Sequence, residues 1–191
     1  MPNQINGLPA HVLLVHLVVV LIPVASVAVL VSAWWPAARR RLGAATPILA
    51  ILSLIVVPIT THAGNWLKNR LPSTPDIERH ASLGNGMLKW VIGLAIVGIA
   101  VYAVGLVSDR QARAAVGADQ RVPVTAGAPD PAGEPASATS AQPGRRPAGS
   151  MFVAGLVIAV LATAVSVGTG VQIYRVGDSG AHAVWRGIPR S

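Results

Sequence analysis

The chain of 191 residues has no cysteine, only seven acidic residues and an aromatic content of 4%. The first absence removes disulfides, thiolate metal sites and thiol nucleophiles. The second leaves charged residues at 12% of the sequence, about half the share carried by soluble domains, which argues against an ordinary soluble enzyme. There is also no glycine-rich phosphate loop, no HExxH and no GxSxG, so nucleotide and hydrolase chemistry is disfavoured. The formal net charge of +8 comes from scarce acids and short arginine clusters set between apolar runs. That is a pattern of membrane orientation and does not point to nucleic acid.

Aliphatic residues fill the chain instead, in long runs. Four stretches contain no Asp, Glu, Lys or Arg: Met1 to Ala38, Leu42 to Leu67, Trp90 to Ser108 and Pro147 to Tyr174. A helix rises about 1.5 Å per residue, so roughly 20 apolar residues cross a hydrocarbon core about 30 Å thick. Each stretch is long enough, and the sequence predicts an all-α transmembrane four-helix bundle. The first helix is expected from Pro9 to Trp35 with a kink at Pro23, and the second from about Ala45 to Trp66 with a kink at Pro58. The third opens at Ser73 or Thr74 as N-cap, carries Pro75, Asp76 and Glu78 in its first turn, and reaches Val107. The fourth runs from Ser150 to Tyr174.

Residues 1–108 therefore hold the first three helices, 150–174 the fourth and 175–191 an outer tail. Between them, 109–149 are rich in Ala, Pro, Gly and Ser and too poor in apolar residues to offset ordering entropy. They read as a long disordered cytoplasmic linker between helices 3 and 4. Val31-Ser32-Ala33 has the small residues of a signal-peptide cleavage site, but no Lys or Arg precedes the run and the run exceeds a signal core, so the first helix reads as a retained span.

Basic residues near the span ends set the orientation. Arg39, Arg40 and Arg41 follow the first helix, whereas no Lys or Arg precedes it. This puts both termini outside the cytoplasm of a plasma-membrane, multi-pass protein, with Trp34 and Trp35 at the inner boundary and Trp66, Trp90 and Tyr174 at the outer one. Small residues mark where helices approach within lipid. Ala162, Ser166 and Gly170 lie at steps of four, as do Gly155 and Ala159, and Gly86, Gly93 and Ala100 lie at steps of seven. These stripes are expected to seat the helices in one bundle, with a homo-oligomer as the alternative.

The topology collects all five histidines on the outer side. His11 and His16 lie in the outer half of the first helix, His62 at the end of the second, His80 in the first turns of the third and His182 in the tail. Thr60, Thr61, Asn65, Ser82 and Asn85 make that end polar. A histidine in hydrocarbon is costly unless bonded or coordinated, and imidazole is a common ligand of transition metals and of haem iron. His11 and His16 are five apart, so they point roughly 140° away from each other and a ligand pair more naturally spans helices. His16, deepest in an apolar run, is the first candidate, paired with His80 or His62, and His11 completes the set. Haem b, or a divalent ion held by His16, His80 and His62, are the cofactor readings. Hydrogen bonding of the imidazoles to carbonyls or headgroups, in a non-catalytic scaffold or accessory subunit, is the structural one. No catalytic residue emerges.

The segment Gly7-Leu8-Pro9-Ala10-His11-Val12-Leu13-Leu14-Val15-His16-Leu17-Val18-Val19 resembles the twin-histidine first helix of a bacterial family of small, uncharacterised four-span membrane proteins. Thr61-His62-Ala63-Gly64-Asn65-Trp66-Leu67 and His80 with Leu83-Gly84 are similar to that family as well, over roughly residues 5 to 107. Some members are linked to Rieske-type iron–sulfur domains. The resemblance implies electron transfer or a haem-bearing, quinone-linked role with His11, His16 and His80 as ligands, His62 less directly, and a redox partner or other membrane subunit. Val12 stands where the family has proline after its first histidine, and the absence of cysteine means this chain has no Rieske centre of its own.

Overall fold

A computed structural model of the chain describes residues 4–5, 8–119 and 148–185. A short antiparallel pair, β1 (Gln4–Ile5) and β2 (Leu8–Pro9), precedes the helices, with Gln4 opposite Pro9 and Ile5 opposite Leu8. Six helices follow: α1 (Ala10–Trp34), α2 (Pro36–Leu42), α3 (Ala45–Lys68), α4 (Pro75–Asn85), α5 (Met87–Asp119) and α6 (Ala148–Trp185). Among the described residues four helical segments are long and apolar enough to cross a membrane: α1, α3, the α4–α5 unit and α6. The protein is a multi-pass, all-α membrane bundle. Pro23 and Pro58 both stay inside helices, where a lipid-exposed break in the backbone would be far more costly than one lost hydrogen bond.

The four spans form a ring in which α1 and α5 each lie between α3 and α6. Burial at the centre comes from small and β-branched residues, which let the backbones approach in lipid. Ala25, Ala50 and Ala162 are fully enclosed with Val29, Leu94 and Val101 in one cluster, and Val18, Ile22, Val57, Met87 and Val91 form a second. Trp90 lies so close against Gly168 that a Cβ there would fall 1.9 Å from its ring. The large exposed apolar residues, such as Val20, Ile96 and Phe152, project away from the bundle, as they must where the solvent is hydrocarbon.

Most hydroxyls inside the spans bond carbonyls, and among the described residues the buried Ser26 hydroxyl is the one left without a partner. Ser53, Thr60 and Thr169 bond the carbonyl four residues back, as expected for isolated hydroxyls in apolar helices. Ser32 instead meets Thr46 at 3.0 Å, and Ser166 donates to the Ser26 carbonyl at 3.1 Å, so two of these residues tie neighbouring helices together. Ala159, Ala162 and Ser166 of the small-residue stripe are buried, while Gly155 faces open space.

Several boundaries differ from expectation. The expected third helix is two, broken at Gly86, where Gln172 donates to the Leu83 carbonyl at 2.8 Å. A Cβ at Gly86 would sit 3.3 Å from that amide, so glycine makes room for the side chain that satisfies the break. Thr74 does cap α4, accepting from the Ile77 amide at 3.4 Å. The arginine triplet forms α2, a short helix with exposed Trp35 at its start, and Arg39 folds over Gly105 of α5. The linker was expected from residue 109, but α5 continues to Asp119 because Gln111, Ala112, Arg113 and Ala114 are strong helix formers. The rest of the expected linker, 120–147, lies outside the described residues. Likewise α6 runs past Tyr174 to Trp185 and turns most of the expected tail into helix. At about 1.5 Å per residue both α5 and α6 are longer than a hydrocarbon core is thick, so each extends beyond it.

Candidate cofactor-binding site

At one end of the bundle the start of α1, the end of α3, one face of α4, the first residue of α5 and the last turns of α6 line a cavity of about 490 Å³. Its walls are chiefly aliphatic, among them Val15, Val18, Val57 and Ile173, and into it face two imidazoles, His11 and His80.

Each imidazole has the same kind of seat on a neighbouring helix. His11 places Nδ1 3.2 Å from the carbonyl of Thr60 on α3, and four residues on, a Cβ at Gly64 would lie 2.9 Å from His11 Cε1. His80 places Nδ1 3.1 Å from the carbonyl of Val176 on α6, and four residues on, a Cβ at Gly180 would lie 3.0 Å from His80 Cε1. In both cases one helical turn offers a carbonyl to the ring's donor and a glycine to its face. Ser179 adds to the second seat: its hydroxyl donates to the Val176 carbonyl at 2.9 Å and lies 3.2 Å from His80 Nδ1.

The tautomer follows from these partners. A carbonyl oxygen only accepts, so each Nδ1 carries a proton, and in the neutral ring it is Nε2 that has the lone pair. In both rings Nε2 is the atom farther from the glycine, at 3.7 Å from the Cβ position at Gly64 and 3.9 Å from that at Gly180. The ring centres are 6.4 Å apart and the planes cross at 78°.

The other histidines are elsewhere. His16 is exposed on α1, its Nδ1 2.7 Å from the Val12 carbonyl of its own helix, and His62 is exposed on α3. His182 belongs to α6, 3.7 Å from Asp178 one turn back, and not to a free tail. Among the described residues no three His, Asp or Glu side chains gather closely enough to hold a metal ion, so His16, His62 and His80 are not brought together. The structure joins His11 with His80, a pair across helices as the 140° divergence requires, although His16 lies deeper in the apolar run. The reason is helical phase. His11, Val15, Val18, Ile22, Ala25, Val29 and Ser32 follow steps of three and four along one inward seam, and His16 lies off it. Thr60 and Gly64 continue the α3 seam of Ala50, Ser53 and Val57, which His62 misses.

Comparison with protein families, with curated proteins and with solved structures finds no match to this chain.

With ring centres 6.4 Å apart, His11 and His80 are the two residues that would hold a metal between them, a haem iron included. Both rings carry the backbone hydrogen bond that fixes tautomer and orientation in ligating histidines. Among the described residues no third His, Asp or Glu joins the pair closely enough, so the set is incomplete for a tetrahedral ion, which takes four ligands.

The sequence reading missed Gly64, Gly180 and Ser179 as parts of the site. Only the glycines left a trace in the sequence, each four residues from the carbonyl it accompanies.

Proposed function

We propose that this integral membrane protein binds one haem b between His11 and His80 and serves as an electron-transfer subunit, linked to a quinone or to a redox partner in the membrane. The observation that carries the reading is the repeated seat: two imidazoles on different helices, each with Nδ1 on a carbonyl, Nε2 free and ring centres 6.4 Å apart. Haem held by two imidazoles supplies reversible one-electron transfer and leaves no iron position open. The protein's part is to hold the ligands. The Thr60 and Val176 carbonyls accept hydrogen bonds from Nδ1–H, which would make each Nε2 a better ligand, and the glycines let the rings lie flush against their seats. The aliphatic walls give the ligand an apolar bed. The likeness to the twin-histidine family, with its Rieske-linked members, supports the same role.

The proposed setting is the plasma membrane, with both termini outside the cytoplasm. The arginines of α2, with Arg110 and Arg113 at the same end of the bundle, support that orientation, which places the imidazole pair near the outer leaflet. Purification in mild detergent tests the cofactor: a Soret band that shifts on dithionite reduction and is lost in His11→Ala and in His80→Ala supports it. A colourless protein free of iron would leave a membrane scaffold. Tags at Gly127 and at the C-terminus test orientation, and a tag at Gly127 reached from outside intact cells would reverse it.

A further inference from the structure

Among the described residues lining the cavity, one is charged: Lys68, in the last turn of α3. Its ammonium is ion-paired with Glu78 of α4, and Ser73 donates to the other carboxylate oxygen of Glu78 at 3.0 Å. The Lys68 side chain is 29% exposed and that of Glu78 48%, so the pair sits where the cavity meets water. Arg70, the next cation along the chain, is committed elsewhere, its guanidinium 3.6 Å from the centre of the Trp66 ring. Near Lys68, Asn65 donates to Asn85 at 3.1 Å, and both amides also line the cavity. An apolar chamber with two imidazoles inside and one cation at its edge fits a flat, apolar ligand that bears negative charge along one side.

Resting on the haem reading above, we infer that Lys68 is the carboxylate-recognition residue of the site: the propionate edge of the haem lies toward the end of α3, and on loading Lys68 exchanges Glu78 for a propionate. A carboxylate at the border of hydrocarbon needs a cationic or hydrogen-bonding partner, and Lys68 lines the cavity that brings the ligand there. Glu78 retains Ser73 as a partner after the exchange and keeps an exposed face to water, so releasing it costs little. Glu78 is then a competitor for Lys68. A structural strap between α3 and α4 would behave differently, because breaking it from either side would have the same effect.

The test titrates the full-length apoprotein, in detergent, with haem b and with its dimethyl ester, following the Soret absorbance in the wild type, Lys68→Gln, Lys68→Arg and Glu78→Gln. The wild type is expected to prefer the free diacid by about tenfold, the worth of one charge-assisted hydrogen bond. Lys68→Gln should abolish the preference while leaving ester binding unchanged, Lys68→Arg should keep it, and Glu78→Gln should enlarge it. Equal affinity of the wild type for acid and ester would overturn the inference while leaving the haem reading intact. So would parallel weakening of both ligands in Lys68→Gln and Glu78→Gln, with matching losses of apoprotein thermal stability. Failure of the wild type to bind either form would remove the haem reading itself, and this inference with it.

Discussion

His11 and His80 sit in matching seats across a cavity, whereas His16 and His62, on the same helices as His11 and its seat, face away from the bundle. All four lie toward one end of the molecule, so the end of the bundle they belong to does not separate them. Helical phase does. The inward pair has carbonyls of other helices for its Nδ1 protons, and His16 bonds a carbonyl of its own helix. The comparison teaches that an imidazole enters the cavity by lying on the packed seam of its helix, and that depth in an apolar run is a poor guide to which one does.

The sharpest way to break the comparison is to remove each histidine in turn. His11→Ala or His80→Ala should weaken haem binding by more than the roughly hundredfold that loss of a supporting residue costs, and free imidazole should partly restore the band in His80→Gly. The seats come next. A Cβ at Gly64 or Gly180 would lie 2.9 or 3.0 Å from Cε1 of its histidine, so Gly64→Ala and Gly180→Ala should push the ring away from its seat. Each should cost about tenfold to hundredfold in haem affinity, read by absorbance titration, with equal effects if the two seats do the same work. Ser179→Ala leaves His80 its bond to the Val176 carbonyl and should cost about threefold to tenfold. The smallest effects belong to the outward pair: His16→Ala and His62→Ala should leave haem affinity unchanged and shift stability by no more than about 0.5 kcal/mol in a thermal melt. A large loss in His16→Ala with none in His11→Ala would invert the comparison.

How much of this was legible in the sequence follows from the same physics. The spans were, because 20-residue runs free of charge have few other uses. The N-cap at Thr74 was, because Thr-Pro followed by acids is local chemistry. The division at Gly86 was not, since it depends on Gln172 arriving from α6. The last turns of α6 were not either: Asp178, Ser179 and His182 look like a solvated tail until His80 takes hold of Val176 and Ser179. The candidate histidines were named from the chain, but choosing His11 over His16 required counting back along the seam from Ile22 and Val18 to His11. Gly64 and Gly180 become meaningful only when it is known which helix each histidine faces.

The most direct measurement is the electron paramagnetic resonance spectrum of the ferric protein, recorded on wild type, His11→Ala, His80→Ala and His16→Ala. Imidazole planes crossing at 78° should give a low-spin, strongly anisotropic signal in the wild type and in His16→Ala, lost in the other two variants. A high-spin signal in the wild type, or a low-spin signal that survives His11→Ala and disappears in His16→Ala, would contradict the paired seats as the site of ligation.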